Sequence, residues 1–312
     1  MDGLVQGLES IPESIRGCVL TIGNFDGVHL GHRRIIQCAR ELAGASGLAV
    51  AAMTFEPPPD LVLRPTDPPQ RITPHLQKCR LLREAGVDWV ITVPPEQWLL
   101  EMTPQGFIEH IIVERVAPSA IVEGRDFRFG HRRSGDVDTL VEYGRGAGFT
   151  VHVAEPVMLD LSDGRQRVSS SLVRRLVASG RVEDANRCLG RPFAICGVVT
   201  AGQGHGRLLE FPTANIAPGA QVRPGDGVYA GRAEIEGQVY LAAISVGNKP
   251  TLGPVEAVVV EAFLLDAGGD FYGRAMTLYF TARLRDQRRF EDIASLRAQI
   301  AKDTQRVREL PR

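Results

Sequence analysis

Residues 21–32 read TIGNFDGVHLGH. Two imidazoles, His29 and His32, stand three residues apart where a short apolar run gives way to a helical pattern. Side chains at i and i+3 share a helix face, so both would point the same way at the positive end of the helix dipole. Unbonded N–H groups there favour an anion, and two imidazoles can donate to phosphate oxygens. Gly31 removes a side chain where a ligand must approach, and Gly23 and Gly27 permit a tight turn after the strand. A metal site would more often use i, i+4 spacing or acidic co-ligands. The competing reading is two surface histidines beside a turn. The combination G-x-F-D-G-x-H-x-G-H in a strand–turn–helix context favours the anion site.

A second set of candidates lies in GVVTAGQGHGRLLEFPTANI, residues 197–216. Gly202, Gly204 and Gly206 make this stretch glycine-rich. It is not a dinucleotide fingerprint, because Arg207 stands at the third position, and it holds no GK[ST] of a Walker loop. The Thr213 hydroxyl and Asn215 carbonyl are hard oxygen donors suited to Mg²⁺ with phosphate. An Asn-capped turn is the alternative. Glu261 falls within the apolar run VEAVVVEAFLLD, where an ionised carboxylate must be paired or functional. A salt bridge to an arginine competes with a catalytic role.

These residues need elements to hold them. Residues 17–54 read strand, turn, helix, strand, with Ile35, Ile36, Ala39 and Leu42 at helical spacing and LAVAAMTF as a buried parallel strand. That order predicts an α/β domain with a parallel sheet and right-handed crossovers. Residues 57–69 contain six prolines and exclude a central strand or helix interior; an ordered loop or flap over the first site is expected. Helices are predicted over HLQKCRLLREAG and PQGFIEHIIVERV, and strands at WVITV, AIVEG and FTVHVAE. SSSLVRRLVASGRVEDANRCL reads as two short helices broken at Gly180. Beyond Arg191-Pro192 short strands alternate with Gly and Pro, which predicts an antiparallel barrel or sandwich. A last helix, about 291–310, carries Ile293, Leu296, Ile300 and Val307 on one face. The predicted domains are 1–186 and 187–312.

The chain has 312 residues, which suggests two domains. Its net charge of -1 argues against a nucleic-acid partner. No apolar run reaches the ~20 residues of a membrane span, and the acidic start MDGLVQGLES lacks the order of a signal peptide. Five scattered cysteines without a CxxC suit a reducing cytoplasm. The oligomeric state is not legible.

TIGNFDGVHLGH resembles the HxGH signature of the nucleotidylyltransferase superfamily and, in its longer form, the adenylyltransferase half of bacterial bifunctional riboflavin kinase/FAD synthetases. Further stretches are similar in the same order. TFEPPP (54–59) resembles the family's TFEPxP, with Pro58 where a polar residue is common. EGRDFRFGHRRSGD resembles GxDFxFG through Gly124, Asp126, Phe127, Phe129 and Gly130. VSSSLVRRL resembles ISSTxIR, with Arg174 kept. FPTAN (211–215) matches the riboflavin kinase signature, and VEAFLLD…DFYG resembles its VExxLLD…DxYG. GNKPTLG resembles its GTxPTF loop, and LRDQRRF its LRxExxF segment.

The resemblance implies a Rossmann-like N-terminal domain that adenylylates FMN and a C-terminal barrel, with a terminal helix, that phosphorylates riboflavin. ATP would be co-substrate and Mg²⁺ cofactor of both. It implies that His29 and His32 hold the α-phosphate and leaving group, with Gly23, Asn24, Phe25, Asp26 and Gly31 around them. Ser169, Ser170 and Arg174 would clamp the outer phosphates, and Gly124, Asp126 and Phe127 would meet FMN. In the kinase, Gly202, Gly204, Gly206, Arg207, Thr213 and Asn215 would hold ATP, Thr213 and Asn215 the metal, and Glu261 would be the base. Read without the resemblance, Asp126 fits a turn cap and Arg174 a surface helix equally well. Glu210 stands where the family has glycine. It motivates a narrower alternative: an FMN adenylyltransferase whose C-terminal domain only binds flavin as a regulatory module.

Overall fold

The computed structural model describes residues 3–200, 213–217, 219–248, 258–269 and 271–310. The chain forms two compact units, residues 1–69 with 75–169, and residues 70–74 with 170–312.

The first unit is built on a six-stranded sheet. In chain order its strands are β1 (Leu4–Gln6), β2 (Val19–Ile22), β3 (Val50–Phe55), β4 (Trp89–Val93) and β5 (Ala120–Gly124). A small hairpin of β6 (Arg128–Phe129) and β7 (Gly135–Asp136) follows, then the sixth sheet strand β8 (Thr150–Ala154) and a second hairpin, β9 (Met158–Leu161) with β10 (Gly164–Arg167). The sheet order is β1-β4-β3-β2-β5-β8 and every pairing is parallel. The chain therefore winds outward from β2 in both directions, and the crevice at the C-terminal ends of β2 and β5 is the point where the winding reverses. β2 is buried on both faces. Val19 belongs to one core cluster, with Ile36 and Ala39, and Leu20 and Ile22 to the other, with Met53 and Ile121. This is why VLTI lacks polar alternation.

The helices of this unit are α1 (Leu30–Ser46), α2 (Pro59–Leu63), α3 (His75–Glu84), α4 (Gln97–Leu100), α5 (Pro104–Gly106) and α6 (Val137–Ala147). α1 is capped by His29 and stopped by Gly47 in the left-handed region (φ 65°). It buries Ile36, Ala39 and Ala43; truncating a buried isoleucine such as Ile36 to alanine costs roughly 2–5 kcal/mol. The helix predicted over 104–116 forms, but from Phe107 to Val116 it is π-wound. The proline-rich stretch is not all loop. α2 lies inside it, because Pro59 occupies the first helical position, where its missing N–H has no intrahelical partner to lose.

The second unit contains α7 (Ser170–Ala178) and α8 (Val182–Leu189), broken at Gly180 (φ 76°) as expected. The strands β11 (Phe193–Thr200), β12 (Thr213–Ile216), β13 (Gly227–Ile235), β14 (Gln238–Asn248), β15 (Val258–Leu264) and β16 (Ala275–Arg285) close an antiparallel barrel in the order β11-β12-β15-β14-β13-β16. α9 (Ile293–Glu309) follows, with Ile300 and Val307 buried. β12 takes in Thr213, Ala214 and Asn215, for which an Asn-capped turn was the alternative.

By packing, the compact units divide at Ser169/Ser170, ahead of the expected domain boundary at 186/187. The reason is the packing of α7 and α8. Asn186 donates to the Phe280 and Thr281 carbonyls (2.8 and 3.3 Å) and accepts from the Phe193 N–H (2.7 Å). Glu183 accepts from the Arg283 N–H at 2.9 Å. Residues 70–74 join the same unit through Arg71, which exchanges backbone bonds with Ala220 and Val222, and through Gln221, which donates to the Ile72 carbonyl.

Candidate active sites

The first site begins where β2 ends. The Gly23 N–H donates to the Met53 carbonyl (3.0 Å), and the Thr54 hydroxyl donates to the Asn24 carbonyl (3.3 Å). The turn then passes through left-handed backbone at Phe25 (φ 47°), Gly27 (φ 86°) and Val28 (φ 39°). Gly23 is not among these, so of the two glycines expected to relieve the turn only Gly27 does so. Phe25 and Val28 tolerate their conformation because both side chains are anchored in the core.

His29 then caps α1, its Nδ1 accepting from the His32 N–H at 3.3 Å. A neutral imidazole that accepts at Nδ1 carries its proton on Nε2, so the cap fixes which edge of His29 is a donor. The two rings stack with centroids 3.6 Å apart and 15° between planes, and the Phe25 ring meets His32 edge-on at 5.2 Å. The predicted common direction of the two imidazoles is present, produced by the cap rather than by two helical residues. Gly31 has a nearer reason than ligand access: a Cβ there would lie 3.1 Å from the His29 ring. Asn24 is exposed at the turn, whereas Phe25 and Asp26 are buried.

Beside this turn lies a cavity of about 700 Å³. Gly23, Asn24, Asp126 and Phe127 line it together with apolar Phe55, Leu99 and Phe107. Arg128, His131, Arg132 and Arg133 line it too, and α2 contributes Val62 and Leu63. Phe127 stacks on Phe129 at 5.5 Å. Gly124 leaves room for the Asp126 carboxylate, whose Oδ1 would be 3.2 Å from a Cβ at that position. Asp126 Oδ1 lies 2.5 Å from the Arg167 guanidinium. Arg167 was not among the predicted residues; the available signal was its place directly before Val168-Ser169-Ser170.

Ser169 closes the first unit, and Ser170 and Arg174 lie on α7 of the second. Arg174 Nε donates to the Gln70 carbonyl at 2.8 Å.

In the barrel, β12 and β15 pair so that Asn215 lies directly opposite Glu261, and β14 places Ser245 opposite Glu261 on its other side. Directly opposed side chains on one face stand ~5 Å apart. Asn215 is buried, and Gln287 donates to the Ser245 hydroxyl at 3.1 Å. The reason given for Glu261 from sequence needs correction. Val260, Ala262 and Leu264 fill the barrel interior, and Glu261, out of phase with them, is half-buried on the outer face. Period-two alternation, not a forced charge in the core, accounts for a carboxylate in that run.

The donors suit a hard cation. Thr213 and Asn215 both lie on β12, and the buried Asn215 is paired directly opposite Glu261. Among the described residues no group of three His, Cys, Asp or Glu could hold a metal ion. Gly202, Gly204, Gly206, Arg207 and Glu210 lie outside the described residues.

Comparison with known proteins covers the whole chain. The family model for FAD synthetase matches residues 11–172 and that for riboflavin kinase residues 189–310. A bifunctional riboflavin kinase/FMN adenylyltransferase from Escherichia coli (strain K12) is 36% identical over 98% of this chain and 97% of its own. One of the same name from Pseudomonas fluorescens is 38% identical over 98% and 97%. A solved structure described as a macrolide-efflux protein from Streptococcus pneumoniae is 27% identical, with a TM-score of 0.89 over 99% of this chain and 100% of its own. Among the described residues no helix is long and apolar enough to cross a membrane.

Proposed function

The chain belongs to the bifunctional riboflavin kinase/FMN adenylyltransferase family, and from that premise we propose which of its residues carry each reaction. Its substrates are riboflavin, FMN and ATP: it phosphorylates riboflavin to FMN and adenylylates FMN to FAD. The riboflavin kinase match runs across Glu210, which favours two activities over the regulatory-module alternative.

In adenylylation a phosphate oxygen of FMN attacks the α-phosphorus of ATP. One P–O bond forms, the bond to the β-phosphate breaks, and pyrophosphate leaves. The nucleophile is already an anion, so the site needs no protein base. Its work is to hold two anions together and to meet the charge that grows in the transition state. The observation that carries this assignment is the stacked His29–His32 pair at the start of α1, beside a cavity of flavin size. His29 Nε2–H and the His32 ring would donate to the α-phosphate and the leaving oxygen, with Asn24 above them. The aromatic lining would take the isoalloxazine ring. Arg167, tied to Asp126, would bring a guanidinium to the edge where the FMN phosphate enters. Ser169, Ser170 and Arg174 would hold the outer phosphates.

In the barrel, Glu261 would accept the proton of the ribityl 5′-hydroxyl as its oxygen bonds the γ-phosphorus and ADP leaves. Thr213 and Asn215 would hold Mg²⁺, which supplies charge neutralisation on the phosphates. Gly202, Gly204, Gly206 and Arg207 would cradle the nucleotide. A cytoplasmic enzyme without nucleic-acid or membrane partners fits the five scattered cysteines without a CxxC and the near-neutral charge.

The test is a time course of separated flavins from riboflavin, ATP and Mg²⁺, beside one started from FMN. FMN should rise and then yield to FAD, and a chelator added at the start should stop both steps. Riboflavin left untouched while supplied FMN becomes FAD would restore the narrower alternative.

A further inference from the structure

Glu123 is the penultimate residue of the apolar strand β5 and is 2% exposed, yet neither reaction described above uses it. Its place is the crevice where the sheet winding reverses. On one side of β2 the ladder to β3 runs through Ile22↔Met53 and continues into the Gly23 N–H bond. On the other side the ladder to β5 stops at Leu20↔Ile121. Successive N–H groups of a strand point to opposite neighbours, so Ile22 N–H faces the side where the ladder has ended. Glu123 turns back into that gap. Its Oε1 accepts from the Ile22 N–H at 2.5 Å and from the buried Thr21 hydroxyl at 3.4 Å. The next two residues, Gly23 and Asn24, are those that line the cavity and open the phosphate turn.

We propose that Glu123 is a positioning residue for adenylyl transfer: its buried carboxyl replaces the missing strand partner of β2 and fixes the line along which residues 22–24 enter the turn. A strand end without this bond would leave a buried N–H unsatisfied, and the turn carrying Asn24, and beyond it His29, would lose one of its two lateral ties. Burial and the neighbouring Asp126 carboxylate push the Glu123 carboxyl well above the ordinary range. A neutral acid can keep the bond from Ile22 through its carbonyl oxygen without setting a negative charge beneath a polyphosphate. A valine or alanine could occupy this strand position but could not accept the bond.

The inference rests on the His29–His32 turn being the adenylyl-transfer site. Its test compares Glu123→Ala, Glu123→Gln and His32→Ala in the full-length chain, with riboflavin phosphorylation by the same molecules as the control for folding. Glu123→Ala should lower kcat/KM for FMN adenylylation at least tenfold, mainly through KM for ATP, and leave FMN formation within twofold. Glu123→Gln, which keeps an acceptor oxygen and no charge, should restore adenylylation to within threefold of the natural chain. An unchanged transferase in Glu123→Ala would overturn the inference. So would a Gln variant as impaired as the Ala variant, or equal loss of both activities in both variants. If His32→Ala also transfers normally, the reading of the turn has failed; if it alone is inactive, only the role of Glu123 has.

Discussion

The first unit gathers the groups proposed to meet the α-phosphate within one turn, residues 23–32, and fixes them by local geometry: left-handed backbone at Gly27, a cap bond from His32 to His29, and a ring stack. The barrel does the opposite. Asn215, Ser245 and Glu261 come from three strands, with Gln287 beyond β16, and only the register brings them into a row. A site made within one segment keeps its residues together whatever the strand register. A site made across strands is lost by a one-residue slip, which would send Glu261 to the interior face.

The comparison can be broken at several points. Glu261→Gln should give the largest effect, lowering FMN formation about 10²–10⁴-fold while supplied FMN still becomes FAD at the original rate. His32→Ala should lower FAD formation about 10²–10³-fold and leave FMN formation unchanged. Both are read by separating flavins after timed reactions, and loss of both activities in either variant would dissolve the distinction between the sites.

Gly31→Ala sharpens the local side. Its Cβ would press on the His29 ring at 3.1 Å, so the ring must shift by a few tenths of an ångström. A ~1 Å misplacement can cost ~10²-fold, and this smaller one should lower kcat for FAD formation about tenfold with little change in KM. Ser245→Ala removes the hydroxyl between Gln287 and the Glu261 row and should lower FMN formation only a few-fold, consistent with the loss of one neutral hydrogen bond worth about 1 kcal/mol.

The smallest effect is on stability. The Glu123 carboxyl has a raised pKa in the folded chain because it is buried. The stability this gives is fully present below the unfolded value of about 4.3 and is lost as pH rises toward the folded value. Glutamine loses nothing over that range. The melting temperature of Glu123→Gln relative to the natural chain should therefore rise as the pH is raised above the unfolded value of about 4.3. A difference that stays constant with pH would show that the carboxyl does not titrate there.

The same contrast explains what was legible in the sequence. Turn, cap and helix residues of the first site are neighbours in the chain, so their types and spacing exposed it. The switch from helical periodicity to short Gly- and Pro-punctuated strands likewise exposed the barrel. β12 was hidden because Pro-Thr-Ala-Asn reads as a turn; its strand character comes from pairing with β11 and β15. That α8 packs with the barrel was not legible, because Asn186 and Glu183 reach β11 and β16 across a long stretch of sequence, which no periodicity reveals. Arg167 and Glu123 are not legible in the sequence because each contacts a partner distant along the chain, Asp126 and Ile22.

The central claim is that two reactions run on separate residue sets within one chain. The most direct measurement mixes the His32→Ala and Glu261→Gln chains with riboflavin, ATP and Mg²⁺ and follows FAD. Neither variant alone should make FAD from riboflavin, and the mixture should, as FMN released by one chain is adenylylated by the other. A mixture that makes no FAD, although the first variant accumulates FMN and the second converts supplied FMN, would show that the sites do not work independently. FAD formed by either variant alone would show that the residue assignment is wrong.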